Sequence, residues 1–226
     1  MLEERSVVLD TELTGLKIHK GHRVISVGLV ELFFNSNTGF RIGEGKEWII
    51  NPDGKESHPE AQKVHGMTSE FLAKFPLFEA HEEEIRAFIG SSKIIHHCWE
   101  YGFIDHGKNI PIPTVDEYAM NTEFKKAANI VIPHEQWLNT KIWAEQVAVR
   151  GDIEDRLNAA SYPEDSRRNS LNAMLAYFGV DTSARYTLKD GKRVERVHTA
   201  IDDATVTAEL YIKMAPEFLP KYGLIS

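Results

Sequence analysis

The chain has 226 residues, 42% of them hydrophobic and 27% charged, with nine prolines, a single cysteine and a formal net charge of -8. That balance suits one well-cored globular domain spanning 1–226 and excludes a collagenous, disordered or disulfide-stapled protein. The acidic charge excludes binding to nucleic acid by phosphate neutralisation alone, and the lone Cys98 points to a reducing compartment, with the cytoplasm as default.

Residues 6–10, "SVVLD", read as a continuous apolar strand buried on both faces. "HRVISVGLVELFF" is a second, longer strand. The turn "NSNTG" leads into "FRIGEGKEWIINP", a third strand stopped by Asn51 and Pro52. Three sequential strands joined by short turns imply an antiparallel meander. "SHPEAQKVHGMTSEFLAKFP" then holds two short helices, with Thr68 and Ser69 placed to cap the second. "LFEAHEEEIRAFIG" spaces Phe78, Ile85, Phe88 and Ile89 as a helix does and closes on Gly90. "KIIHHC" is a short apolar strand, after which "EYGFIDHGKN" is expected to run into a helix.

From about 108 to 167 no single period is sustained, and this stretch reads as an elaboration on the domain. "SLNAMLAYFGV" is an amphipathic helix capped by Ser170 and ended by Gly179. Asp190-Gly191 between two β-like runs is a hairpin signal. "HTAIDDATVTAELYIKMA" is a last helix ending before Pro216. The whole describes an α/β sheet with an antiparallel start and parallel additions. No apolar run approaches the ~18 residues of a membrane-spanning helix, and "MLEERS" lacks a signal peptide's basic and apolar regions, so no membrane partner is expected.

Asp10 and Glu12 stand two apart at the end of the first strand, where side chains i and i+2 share a face and can converge on one point. Two carboxylates that close repel unless a cation sits between them, and oxygen ligands alone suit magnesium or manganese. Taken alone, the pair reads better as the start of a solvated turn, because isolated D-x-E pairs are common. The last helix adds Asp203 at the head of an apolar stripe through Val206, Leu210 and Met214, with His198 five positions earlier as a candidate base.

With these residues in view, the chain resembles the DEDDh 3'–5' exonucleases, in particular the proofreading epsilon subunit of bacterial DNA polymerase III and its stand-alone relatives. The first family motif, a strand ending D-T-E-T-T-G, stands here as "DTELTG" from Asp10 to Gly15. The third, H-x-A-x-x-D-A, stands as "HTAIDDA" from His198 to Ala204, and "VHGMT" from Val64 to Thr68 matches an intermediate signature. The second motif, H-N-A-x-F-D followed by x-x-F-(L/M), departs: "HHCWEYGFID" puts Glu100 at the aspartate, with Asp105 as the fallback acid.

The resemblance implies a ribonuclease H-like fold, with a mixed five-stranded sheet flanked by helices. It also implies two Mg²⁺ (or Mn²⁺) ions: Asp10 bridging them, Glu12 and Asp203 completing one site and Glu100 supporting the other. His198 takes the proton of the attacking water. Thr11, Leu13, Thr14, His65 and Met67 hold the terminal nucleotide, with Leu13 wedged at the last base and His65 near the sugar. The implied activity is release of nucleoside monophosphates from single-stranded or frayed 3' ends of DNA or RNA. Arg185, Lys189, Lys192, Arg193 and Arg196 are candidates for a basic rim. A polymerase partner is not evident, because "PEFLPKYGLIS" carries no clamp-binding glutamine motif, and a homodimer is one assembly the resemblance allows. The altered second motif leaves a competing reading, a catalytically weak nucleic-acid-binding or interaction module.

Overall fold

The computed structural model describes residues 3–105, 111–160, 162, 167–182, 186–189, 192–195 and 197–222. Its centre is a five-stranded sheet in the order β3-β2-β1-β4-β5. Strands β1 (Glu4–Leu13), β2 (Val24–Asn35) and β3 (Gly39–Ile49) form the expected antiparallel meander, while β4 (Lys93–His96) and β5 (Trp137–Asn139) add parallel to β1. Being central, β1 is covered on both faces, which explains its unbroken apolar run. Val7, Leu9 and Leu13 pack with the helices α3 (Glu82–Ile89) and α4 (Val115–Ala128). Val8 joins the opposite core, with α5 (Lys141–Val147), α6 (Ile153–Ala159), α7 (Leu171–Tyr177) and α8 (Ala200–Tyr222). The two-residue alternation therefore turns Asp10 and Glu12 toward α8 and Thr11 toward α4.

Local chemistry sets the helix ends as the sequence suggested. Between β3 and α3, Thr68 caps α2 (Ser69–Leu72) by accepting from the Phe71 amide, after α1 (Pro59–His65) has closed on Gly66 in the left-handed region. Ser170 caps α7 in the same way, accepting from the Ala173 amide. The strands β6 (Tyr186–Lys189) and β7 (Lys192–Glu195) pair antiparallel. Their Asp190-Gly191 turn lies outside the described residues. Among the described residues no helix is long and apolar enough to cross a membrane.

Three expectations are corrected. The stretch at about 108–167 is no mere elaboration: it supplies α4, whose Ala119, Met120 and Phe124 are fully buried under the sheet, and β5, the sheet's fifth strand. Tyr101–Asp105 forms a turn rather than a helix. And α8 does not stop before Pro216 but runs on to Tyr222. A proline there costs a backbone hydrogen bond, yet Phe218 and Leu219 beyond it are buried, with Phe218 stacked 5.4 Å from Trp143, and that packing carries the helix through.

One buried ion pair ties α4 to the turn that follows β1. Arg23 donates from Nε and Nη2 to the two carboxylate oxygens of Glu123 at 2.6 and 2.7 Å, and its own amide donates to Thr14 Oγ1 at 2.9 Å. Glu123 is 2% exposed. Removing one partner leaves the other charge buried and alone, so Glu123→Ala is expected to cost about 3–5 kcal/mol in chemical denaturation. A loss under ~1 kcal/mol in that titration would show the pair to be solvated.

Candidate active site

The site forms where β1 ends against the start of α8. Asp10, Glu12 and Asp203 each bring a carboxylate oxygen to within 4.8 Å of the others. What permits this approach is Gly28, paired with Asp10 across the ladder. A Cβ built on Gly28 would lie 2.2 Å from the Ala200 carbonyl carbon and 2.3 Å from its oxygen. Only a residue without a side chain lets the first turn of α8 rest on β2, and that contact holds Asp203 over β1.

The electrostatics of the cluster are strained without a cation. Glu12 is 8% exposed, and its pKa is pushed up to about 8, first by burial and then by the neighbouring Asp203 carboxylate. His198 lies with Nδ1 3.3 Å from Asp203 Oδ2. The Thr199 hydroxyl accepts from the Asp202 amide and fixes the entry into α8 between the two.

The residues expected to hold a nucleotide flank this cluster. Thr11, Leu13 and His65 line a cleft of about 550 Å³ that begins at Glu12 and runs along α1. His65 is 2% exposed, and its Nδ1 accepts from the Met67 amide at 3.0 Å. Burial holds its pKa down, and its Nε2 is buried with no hydrogen-bond partner among the described residues. Met67 lines a second hollow of about 430 Å³ shared with His65 and His198. Thr14 is turned inward instead, its hydroxyl bonded to His22 Nδ1 and the Arg23 amide. On the other flank His97, Trp99 and Lys141 border a hollow of about 270 Å³ with Asp10, His198 and Asp203. Lys141 Nζ donates to the Asn169 carbonyl and sits 3.2 Å from the Trp99 ring centroid. Burial lowers its pKa to about 8. Of the basic residues expected as a rim, Arg185 and Arg196 lie outside the described residues. For Lys189, Lys192 and Arg193 only the backbone is described.

Glu100 is not brought to the cluster. It is exposed and forms an isolated antiparallel bridge with Thr114. The Val115 amide donates to the Trp99 carbonyl at 2.9 Å, and the Tyr101 amide to that of Pro113 at 2.7 Å. These bonds close a neck between residues 99–101 and 113–115, from which the described residues 101–105 leave as an excursion. With the excursion cut out, Trp99 joins Val115 and the sequence reads H-H-C-W-V-D-E-Y-A-M. Set against H-N-A-x-F-D-x-x-F-(L/M), this agrees at three of the seven specified positions, the histidine (His96), the aspartate (Asp116) and the last (Met120), which makes Asp116 a second candidate for the aspartate. Asp116 is 4% exposed, accepts from Thr11 Oγ1 at 2.7 Å and is among the charges that raise Glu12. The sequence alone does not offer this candidate, because Trp99 and Val115 are neighbours only in space.

A sheet of this order, with carboxylates gathered where its first strand meets the last helix, defines the ribonuclease H-like exonuclease fold. Two solved structures share it. One is a full-length 3'-exonuclease, with TM-score 0.60 and 12% identity over 96% of this chain and 84% of that one. The other is Escherichia coli Exonuclease I in complex with a dT13 oligonucleotide, with TM-score 0.60 and 15% identity over 97% of this chain and 42% of that one.

The exonuclease (RNase T) family model matches residues 7–211, and the chain belongs to this family. DNA polymerase III subunit epsilon of Pasteurella multocida is 30% identical over 93% of this chain and 68% of its own length. The subunits of Haemophilus influenzae and Escherichia coli are 29% and 27% identical, over 67% and 71% of their lengths. The chain is a 3'–5' exonuclease of the DEDDh, epsilon-like type, an enzyme class that depends on divalent metal.

Proposed function

We propose that the protein removes nucleoside monophosphates one at a time from single-stranded or frayed 3' ends, in the cytoplasm, using two Mg²⁺ or Mn²⁺ ions. The observation that carries this reading is the Asp10, Glu12 and Asp203 cluster with His198 beside Asp203. The donor set fits the metal: oxygens only, mutually repelling, with Glu12 pushed up to about 8 first by burial and then by Asp203.

In this reading Asp10, Glu12 and Asp203 would hold one ion, and Asp116, rather than Glu100, would support the other. Bound divalent ions supply Lewis-acid stabilisation of the attacking and leaving oxygens. His198, oriented through Nδ1 by Asp203, receives the water's proton on Nε2. Thr11 and Leu13 grip the terminal nucleotide, while His65 offers its buried Nε2 to the sugar. Lys141 faces the phosphate path from the opposite flank.

The test is incubation of purified protein with Mg²⁺ or Mn²⁺ and matched single-stranded DNA and RNA oligomers. Mononucleotide release that stops with chelator and in Asp10→Ala supports the reading, and the DNA to RNA rate ratio names the substrate. No release with either ion leaves the binding-module reading standing. The second acid is separable: Asp116→Asn is expected to reduce Mn²⁺ stoichiometry in calorimetric titration from two to one, and Glu100→Gln to leave it at two. The reverse result would restore Glu100.

A further inference from the structure

The excursion at 101–105 carries an aromatic side chain back to the nucleotide cleft. Phe103 is 45% exposed and forms part of the wall of the cleft of about 550 Å³ that also holds Glu12, Leu13 and His65. An exposed phenylalanine costs apolar hydration, and this one is also held in place. Its ring packs edge-on at 5.4 Å against Tyr101, which is fully buried. Tyr101 in turn stacks on Tyr118 of α4 at 4.1 Å and 10°. Its hydroxyl accepts from the His19 amide at 2.9 Å, and the His19 ring centroid lies 6.1 Å from that of Phe103. The ring is thus backed by a fixed aromatic ladder and still lines the cleft.

We propose that Phe103 is a stacking platform for the base of the 3'-terminal nucleotide. Every base has a π-face, so a phenyl wall grips any of the four and reads none. What it selects is the presence of a base. This rests on the exonuclease reading, since that reading puts a terminal nucleotide in the cleft. It adds a substrate requirement: a 3' end whose last sugar lacks its base should be held poorly.

The test measures equilibrium binding of the intact protein with Mg²⁺ by fluorescence anisotropy. Single-stranded oligonucleotides protected by terminal phosphorothioate linkages end either in an ordinary nucleotide or in a tetrahydrofuran abasic residue. Phe103→Ala is expected to raise Kd about tenfold on ordinary ends and to leave Kd on abasic ends unchanged, with Phe103→Trp binding ordinary ends as the wild type does. Equal Kd for wild type and Phe103→Ala on ordinary ends overturns the proposal. So does an equal loss on both kinds of end, which is the mark of a distorted cleft. Because binding is read without turnover, an inactive protein that still shows the base-dependent difference refutes the exonuclease reading and leaves the platform standing.

Discussion

Gly28→Ala is expected to disable the protein although residue 28 touches no substrate. The added methyl would meet the Ala200 carbonyl carbon at 2.2 Å and the Ile201 amide nitrogen at 2.4 Å, both backbone atoms that no rotamer change can move aside. Either the first turn of α8 lifts from β2 or β2 buckles beneath it. Overpacking of this kind costs about 1–3 kcal/mol or more. The larger effect falls on the site, because α8 carries His198 at its entry and Asp203 in its first turn. A displacement of about 1 Å in such a group costs roughly a hundredfold in rate. Gly45→Ala is the control: its methyl would meet Ile201 at 3.1 Å, but at the tip of a side chain that can rotate. We expect Gly28→Ala to lower Tm by several degrees and the rate by roughly two orders of magnitude, with Gly45→Ala near wild type. Wild-type activity in Gly28→Ala would mean that α8 does not seat on Gly28.

The second large effect opposes stability to function at one residue. In the metal-free protein Glu12 has its pKa raised from 4.5 to about 8 by burial and by Asp203. The folded state then holds a proton that the unfolded state releases above pH 4.5. The stability this provides is complete below about pH 4.5 and is lost as pH rises through about 8. Thermal unfolding with chelator should therefore show Tm falling across that window. Divalent metal should raise Tm most at the alkaline end, where the carboxylates are charged. Glu12→Gln removes the ionisable group: the chelated variant should be more stable than wild type near pH 8 and should lose the metal-induced rise. Its exonuclease rate should fall by roughly three orders of magnitude, as several kcal/mol of transition-state stabilisation disappear. A variant that keeps both its rate and its metal response would remove Glu12 from the site.

The contrast between what the sequence disclosed and what it hid follows from where the information lies. The first strand, the caps at Thr68 and Ser170 and the apolar stripe of α8 were legible because each depends on neighbours within a turn or two. So were the acids at 10, 12 and 203, which fall inside contiguous motifs. The helix α4 was hidden because its inward side is partly polar. Asp116, Glu117 and Glu123 are all buried, paired respectively with Thr11, His134 and Arg23, and they erase the amphipathic period. Gly28 gave no signal, since a glycine in a strand says that something comes close and not what it is. Asp116 could be recognised only once the neck at Trp99 and Val115 showed which residues are neighbours.

That neck also separates two jobs along the chain. The clustered carboxylates and His198 stand on β1 and at the start of α8, against the packed layers, whereas Phe103 hangs on a segment whose feet are hydrogen-bonded together. Lengthening such a segment adds little closure cost, because doubling a loop costs only about 0.6 kcal/mol. A change at Phe103 that keeps the buried Tyr101 and the α4 cap Thr114 can therefore alter which 3' ends are gripped, while the hydrolytic machinery beneath keeps its geometry.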